Sequence, residues 1–184
     1  MGTKQKKPNI VFILSDDQGA WAMGCAGNDE IRTPNLDRLA ASGIRFENFF
    51  CTSPVCSPSR ASLFTGKMPS QHGVHDWIRD GNTGEGAIEY LRGQTAFTDI
   101  LAAHDYQCGI SGKWHLGDSE RPQKSFKHWF VHEKGGGPYF GATMVRNGEL
   151  VTEEDYITDV ITDDGISFIT DHAHEEDPFY LSVH

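Results

Sequence analysis

The sequence lacks any long hydrophobic run. Its longest uninterrupted apolar stretch is the five-residue segment IVFIL at positions 10–14, whereas a membrane-spanning helix needs about 20 residues. No transmembrane segment is therefore expected. The preceding basic residues, Lys4, Lys6 and Lys7, are not followed by the apolar region of a secretory leader. The protein is therefore expected either to be cytoplasmic or to be exported with its leader already removed.

Cysteine and basic residues are also scarce. The chain has four cysteines among 184 residues, with no C-x-x-C pair and no zinc-type spacing, so a disulfide framework is not expected. It carries 16 Lys and Arg against 26 Asp and Glu, a net charge of −10. This balance argues against nucleic acid or an anionic membrane as the main partner. A small anionic substrate is compatible with it where local cations outweigh the overall field.

Short apolar runs and turn signals predict the strands of an α/β protein. The segment 10–14 is rich in β-branched residues, which is typical of a parallel strand buried on both faces in the middle of a sheet. Asn147-Gly148 lies between two apolar pairs and predicts a two-residue hairpin. Further strands are expected at 44–46, 106–111 and 179–183, and no domain linker is evident.

The positions of proline and glycine predict where the helices begin and end. Thr33-Pro34 and Gly43 are start and stop signals for one helix, and Ser57-Pro58 and Gly66 are those for a second. Further helices are expected at 95–104 and from Thr152 onwards, and the segments 79–94 and 117–141 are expected to be loops. At 184 residues the chain is long enough to bury a real core.

Asp16-Asp17 is the first candidate functional element, because it directly follows the first predicted strand. Functional groups of open α/β sheets lie just beyond the carboxyl ends of strands. Adjacent carboxylates repel each other unless a cation lies between them. The pair is therefore either a cation site or an acidic turn that caps the following segment.

The second candidate is the segment from Cys56 to Arg60, which reads Cys-Ser-Pro-Ser-Arg. Cys56 is expected immediately before the first turn of a helix, where free N–H groups stabilise an anion, and Arg60 would add a full positive charge. The alternative is a buried structural cysteine beside a surface arginine. A cysteine-dependent phosphatase loop is disfavoured because it needs a longer spacing than the three residues found here.

The third candidate is Gly112-Lys113-Trp114-His115-Leu116-Gly117. Its two glycines permit a tight backbone that places Lys113 and His115 at the end of the predicted strand 106–111. Taken alone, the segment could equally be an ordinary surface loop.

These three motifs, in this order, resemble the sulfatase family. The segments 8–18, 33–37, 53–66 and 72–74 also match that family's pattern as they stand, as does the final Asp177-Pro178-Phe179-Tyr180-Leu181 strand. The resemblance implies a mixed, mostly parallel sheet flanked by helices, the alkaline-phosphatase-like sulfatase fold. Family members are much longer, so residues 1–184 are expected to be the N-terminal part of a sulfatase catalytic domain, truncated at the C-terminal end.

The resemblance implies that Cys56 is oxidised to formylglycine by a maturation enzyme. The hydrate would then offer one oxygen to a metal ion and a second as the nucleophile towards sulfur. Asp16 and Asp17 would be ligands of the same ion, Ca²⁺ or Mg²⁺, together with residue 56.

The remaining site residues also follow from the resemblance. Arg60 would hold the formylglycine, Lys113 would bind a sulfate oxygen, and His115 would hydrogen-bond the hydrate and help to expel sulfate. Substrate contact is weighed against a structural role for four further residues, His75, Asp76, Trp77 and Arg79. His184 receives no role, because the family's later sulfate-binding His is expected just beyond this point.

The expected function is therefore hydrolysis of a sulfate ester of a small molecule or carbohydrate, with release of inorganic sulfate. One alternative is a phosphonate or phosphate ester hydrolase of the same superfamily. The other is a non-catalytic binding protein that retains the fold. This chain alone is expected to be inactive, since the family's later metal ligands and leaving-group acid are not among its residues.

Overall fold

The computed structural model describes residues 7–184. These residues form two compact units, one comprising the segment up to Leu14 together with Thr52–His184 and the other Ser15–Cys51. None of residues 15–51 is buried.

The larger unit is built on six strands and four helices. The strands are β1 (Ile10–Ile13), β2 (Gln107–Gly112), β3 (His128–His132), β4 (Ala142–Arg146), β5 (Glu149–Glu153) and β6 (Phe179–Val183). The helices, numbered with α1 of the smaller unit, are α2 (Cys56–Thr65), α3 (Pro69–His72), α4 (Phe97–Ala102) and α5 (Ile157–His172). Within residues 7–184, every helix is too short or too polar to cross a membrane.

The six strands form one sheet in the order β1-β6-β2-β3-β4-β5. Strands β1, β6, β2 and β3 run parallel to one another, whereas β4 pairs antiparallel with both β3 and β5. The expected mixed, mostly parallel sheet is confirmed. Since parallel strands end at the same edge, the residues that follow β2 and β6 lie side by side, and Ser111 pairs with Val183 there.

The prediction that the first strand is buried on both faces is wrong for the described residues. β1 lies at the edge of the sheet and pairs with β6. Its residues alternate in exposure, and Ile13 remains 69% exposed. The apolar composition of the run was therefore a correct signal for a strand but not for its position in the sheet.

Several element boundaries also differ from the sequence prediction. The segment 44–46 is not a strand, β3 lies inside the expected loop 117–141, and the last helix begins at Ile157 rather than at Thr152, which belongs to β5. The hairpin is confirmed, because Asn147 and Gly148 both have positive φ, 50° and 97°, as a type I′ turn requires.

The smaller unit contains a short 3-10 helix (Gly24–Ala26) and α1 (Pro34–Ser42). Asp37 joins the two, because its Oδ1 accepts hydrogen bonds from the Cys25 N–H at 2.7 Å and from the Thr33 hydroxyl at 3.0 Å. Thr33 and Pro34 flank the start of α1 as predicted, although the Thr33 side chain does not cap the helix.

Aromatic side chains dominate the core of the larger unit. Phe64 of α2 lies 5.2 Å from Trp114, and Trp114 lies 5.3 Å from Trp129 of β3, measured between ring centroids. All three side chains are fully buried. Such offset and edge-on contacts add to the stabilisation from burial itself. The core therefore anchors α2 and the loop after β2 at one end of the sheet.

A polar cluster joins α5 to β3 and β4. The carboxylate of Asp164 accepts hydrogen bonds from His128 Nε2 and from Arg146 NH1, both at 2.8 Å. Burial by itself would raise the pKa of Asp164, but the hydrogen bonds and charge of His128, together with Arg146, lower it. The ionised carboxylate therefore stabilises the folded state.

We expect Asp164→Asn to lower the free energy of unfolding at neutral pH by about 2 kcal/mol, the scale of hydrogen bonds to a charged group. Since the pKa of Asp164 is depressed on folding, its contribution is present above the unfolded pKa of about 4 and is lost as pH falls through the folded value. Urea unfolding at pH 7 and near pH 3 would measure both effects. The exposed neighbour gives the control Asp163→Asn, and an equal, pH-independent loss in the two variants would contradict this account.

Candidate active site

Cys56 is the first residue of α2, with Val55 at the N-cap position. The sequence placed Cys56 just before the helix, with Ser57 as the cap, so this prediction is wrong by two residues. Gly66 ends the helix as predicted, with φ of 67°. Cys56 is half-buried and its thiol is free of any disulfide. An accessible sulfur at the positive end of a helix is well placed for oxidation or for anion chemistry.

Arg60 lies one turn after Cys56, so the two side chains share a face of α2. Arg60 is only 3% exposed, and its NH1 donates a hydrogen bond to the carbonyl oxygen of Lys113 at 2.7 Å. This bond spans 53 residues of sequence. It joins the Cys-Ser-Pro-Ser-Arg segment to the Gly-Lys-Trp-His-Leu-Gly segment.

The loop after β2 holds Lys113 and His115 in a constrained backbone. Gly112, His115 and Gly117 have φ of 116°, 56° and 78°, a region that favours glycine and is unusual for His. The His115 side chain is fully buried, whereas Lys113 is half-buried. A strained residue held by tight packing is typical of functional sites.

His115 is connected to α2 through the segment that follows α3. His115 Nε2 lies 2.9 Å from the carbonyl oxygen of Ile78, which can only accept, so Nε2 carries the proton. The N–H of Ile78 in turn donates to Ser57 Oγ at 3.2 Å. In the neutral ring Nδ1 then carries the lone pair and can act as an acceptor.

His72 has a structural role in the same region. Its Nε2 lies 3.0 Å from Ser62 Oγ of α2, and its Nδ1 accepts a hydrogen bond from the Val74 N–H at 3.1 Å. Burial, followed by the charges of His75 and Lys67, lowers the pKa of His72. The neutral ring therefore fastens the start of the 72–79 segment to α2.

The four residues considered for substrate contact, His75, Asp76, Trp77 and Arg79, are all exposed. The Trp77 ring is half-exposed and stands edge-on to His115, with centroids 5.9 Å apart. The Arg79 guanidinium lies 5.8 Å from the Trp77 ring centroid. Trp77 and Arg79 thus form an accessible aromatic and cationic surface next to His115, whereas Asp76 accepts the Trp77 N–H at 2.7 Å.

Asp16 and Asp17 belong to the smaller unit and are exposed. Asp17 has φ of 56°, which turns the chain sharply after β1. Their carboxylate oxygens suit a hard cation such as Ca²⁺, but such an ion takes 6–8 oxygens. Across residues 7–184, no group of three or more His, Cys, Asp or Glu is arranged to hold a metal. The described residues fit a partial set of ligands rather than a complete cation site.

Two residues of this region were missed by the sequence analysis. Gly135 belongs to a triple-glycine stretch, and a Cβ at this position would come within 3.0 Å of three atoms of the His115 ring. His184 Nδ1 lies 2.7 Å from Arg60 NH1 and 2.9 Å from the carbonyl oxygen of Lys113. The glycine run was visible in the sequence, but its contact with His115 is not a sequence signal.

Several known proteins are similar to this chain. The sulfatase family model matches residues 8–184. The chain is 36% identical to N-acetylglucosamine-6-O-sulfatase of Bacteroides thetaiotaomicron over 97% of its own length and 30% of that protein. It is 39% identical to human arylsulfatase A over 73% of the chain and 26% of that protein.

Solved structures show the same fold. One, a complex of a protein with its substrate D-glucosamine-2-N,6-O-disulfate, superposes with a TM-score of 0.81 at 35% identity, over 97% of this chain and 34% of that one. The fold and the motif geometry define a sulfatase-type α/β protein. The chain belongs to the sulfatase family. It spans about a third of the length of the relatives that it matches.

We expect Gly135→Ala to disturb the site through His115, because the added methyl group overlaps a ring that is fully buried. Overpacking of this kind costs about 1–3 kcal/mol, so thermal unfolding should show a clear loss. Gly137→Ala is the matched control, since a Cβ there meets its nearest neighbour at 3.6 Å. If both variants unfold like the wild type, Gly135 does not constrain His115.

Proposed function

We propose that the protein carrying this chain is a sulfuric ester hydrolase that releases inorganic sulfate. The observation that carries the proposal is the partly buried hydrogen bond from Arg60 to the Lys113 carbonyl. It joins the two motifs whose residues would handle the nucleophile and the sulfate group. Residues 1–184 would form the N-terminal part of the catalytic domain, since the chain covers 30% of the length of the Bacteroides thetaiotaomicron N-acetylglucosamine-6-O-sulfatase.

Cys56 would act after oxidation to formylglycine by a maturation enzyme. When formed, this group supplies a hydrated aldehyde whose oxygen is a nucleophile. The local structure supports such a role for residue 56, because the side chain is half-buried and begins a helix that has no side-chain cap at its N-terminus. Arg60, one turn further along the same face, would hold the modified residue in place.

Lys113 and His115 would act on the sulfate and on the proton of the nucleophile. Lys113 places a positive charge at the end of β2, where the sulfuryl oxygens gain negative character during transfer. His115 is fixed by its bond to Ile78, so its other ring nitrogen can accept a proton in the neutral state. The net charge of the chain is −10, so these cations must act locally on an anionic substrate.

A sulfated carbohydrate is the substrate class that we favour. The relatives include an N-acetylglucosamine-6-O-sulfatase, and one similar structure holds a disulfated glucosamine. In this chain, the exposed Trp77 ring beside His115 offers an apolar face for a sugar ring, and Arg79 offers a charge for a second anionic group. His75 and Asp76 lie on the same exposed segment.

Two rival functions are separated by a direct assay. A phosphonate or phosphate ester hydrolase would use the same oxidised cysteine, and a binding protein would hydrolyse neither ester. The gene product that carries this chain should be matured in cells that also produce a formylglycine-generating enzyme. It should then be tested with 4-nitrophenyl sulfate, a phenylphosphonate ester and glucosamine-6-sulfate.

We expect turnover of the sulfate esters to require oxidised Cys56. Mass spectrometry of the peptide containing residue 56 should show a loss of about 18 Da when the thiol becomes an aldehyde. Cys56→Ala should abolish turnover without changing Tm, because residue 56 contributes little to the core. Cys51→Ala, an exposed cysteine, is the control and should remain active. Full activity with an unmodified Cys56 would contradict the proposal.

We also propose that Asp16 and Asp17 contribute ligands to a Ca²⁺ or Mg²⁺ site. Asp17→Asn is expected to reduce the bound metal, measured by elemental analysis of the purified protein, and to weaken the rise in Tm on adding Ca²⁺. Asp29→Asn, in the same unit, is the control for a general loss of acidic charge. Metal content that is unchanged in the Asp17 variant would contradict this assignment.

A further inference from the structure

We propose that His184 is a positioning residue that holds the Arg60 guanidinium in its working orientation. The inference rests on the proposed function, in which Arg60 holds the oxidised residue 56. It concerns a histidine that follows β6 and lies 124 residues from Arg60 in sequence.

Two acceptors contact the same nitrogen of the guanidinium. Arg60 NH1 lies 2.7 Å from His184 Nδ1 and 2.7 Å from the Lys113 carbonyl oxygen, and these two acceptors lie 2.9 Å from each other. A guanidinium only donates hydrogen bonds. Both partners therefore accept from Arg60, and Nδ1 of His184 must carry a lone pair.

The other ring nitrogen of His184 is consistent with this tautomer. Nε2 carries the proton and donates to Ser182 Oγ at 2.7 Å. The Ser182 hydroxyl can then donate to the Tyr180 hydroxyl at 3.1 Å. Ser182 is fully buried and Tyr180 is 2% exposed, so this chain of hydrogen bonds runs along the inner face of β6 into the core.

The backbone of His184 is fixed as firmly as its ring. Its N–H donates to the Ser111 carbonyl oxygen at 2.9 Å, which continues the pairing of β6 with β2. Gly112 approaches so closely that a Cβ there would overlap the His184 backbone. The ring also packs against Phe12 and Phe64, with centroid distances of 6.0 and 6.2 Å.

These contacts make the position of Arg60 depend on β6. The Lys113 carbonyl and His184 Nδ1 follow different strands, so together they restrict where Arg60 NH1 can lie. The contribution of His184 is to orient Arg60. Loss of His184 should therefore lower kcat more than it raises KM.

The test uses two substitutions, each of which keeps a polar group near one of the two imidazole nitrogens. Asparagine places its amide near the position of Nδ1, whereas glutamine places its amide near that of Nε2. In the matured gene product, His184→Gln should therefore lower kcat for 4-nitrophenyl sulfate roughly tenfold or more. His184→Asn should regain most of that loss. The oxidised fraction of Cys56 should be checked by mass spectrometry in every variant.

Val183→Ala is the matched control. Alternate side chains of β6 face opposite sides of the sheet, and Val183 packs against the buried cluster of Phe168, Phe179 and Leu181. It should lower Tm and leave kcat unchanged. Equal losses in the Gln and Asn variants would overturn the inference. A loss of kcat that merely follows Tm, as measured with the control, would also overturn it.

A second readout remains informative if the wild type hydrolyses none of the esters, which would refute the proposed function. Phenylglyoxal labels accessible guanidinium groups, and mass spectrometry can follow its addition to Arg60. We expect faster labelling of Arg60 in His184→Gln than in the wild type or in His184→Asn. Equal labelling rates in the three proteins would show that His184 does not hold Arg60.

Discussion

The arrangement of the site depends on the burial of one charged side chain, that of Arg60. A guanidinium removed from water is costly unless its N–H groups find acceptors, and this side chain is 3% exposed. Its hydrogen bond to Lys113 therefore constrains where α2 lies relative to the end of β2. Arg60 and Lys113 are 53 residues apart in sequence. The aromatic contact of Phe64 with Trp114 holds the same two segments together from the core side.

The parallel sheet provides the geometry that this contact uses. Because β6 and β2 run in the same direction, both present their carboxyl ends at one edge, and His184 and Lys113 follow those ends. The edge is thus a platform on which a helix N-terminus, a constrained loop and a strand end converge. The exposed Trp77 ring stands edge-on to His115, in the loop that follows β2.

The negative net charge of the chain explains why positive side chains are needed close to the site. An overall charge of −10 repels an anionic substrate, so attraction has to come from positive groups at short range. Arg60 is buried and keeps its orientation through hydrogen bonds, whereas Lys113 is half-buried and Arg79 is exposed. The three cations therefore differ in freedom, which matches the separate roles proposed for them.

Much of this protein could be predicted from local sequence alone. The hairpin at Asn147-Gly148 was predictable because its residues tolerate positive φ, and the helix end at Gly66 for the same reason. The motifs around Cys56 and Lys113 identified the family, because their residue types and order carry specific chemistry.

Tertiary structure alone decided the rest. The position of β1 at the sheet edge depends on which strands pair, and an apolar run does not encode its neighbours. The overlap of Gly135 with His115, and the contact of His184 with Arg60, join residues that are distant in sequence. Spacing and propensity describe neighbours along the chain, whereas these contacts arise only when close packing brings separate segments together.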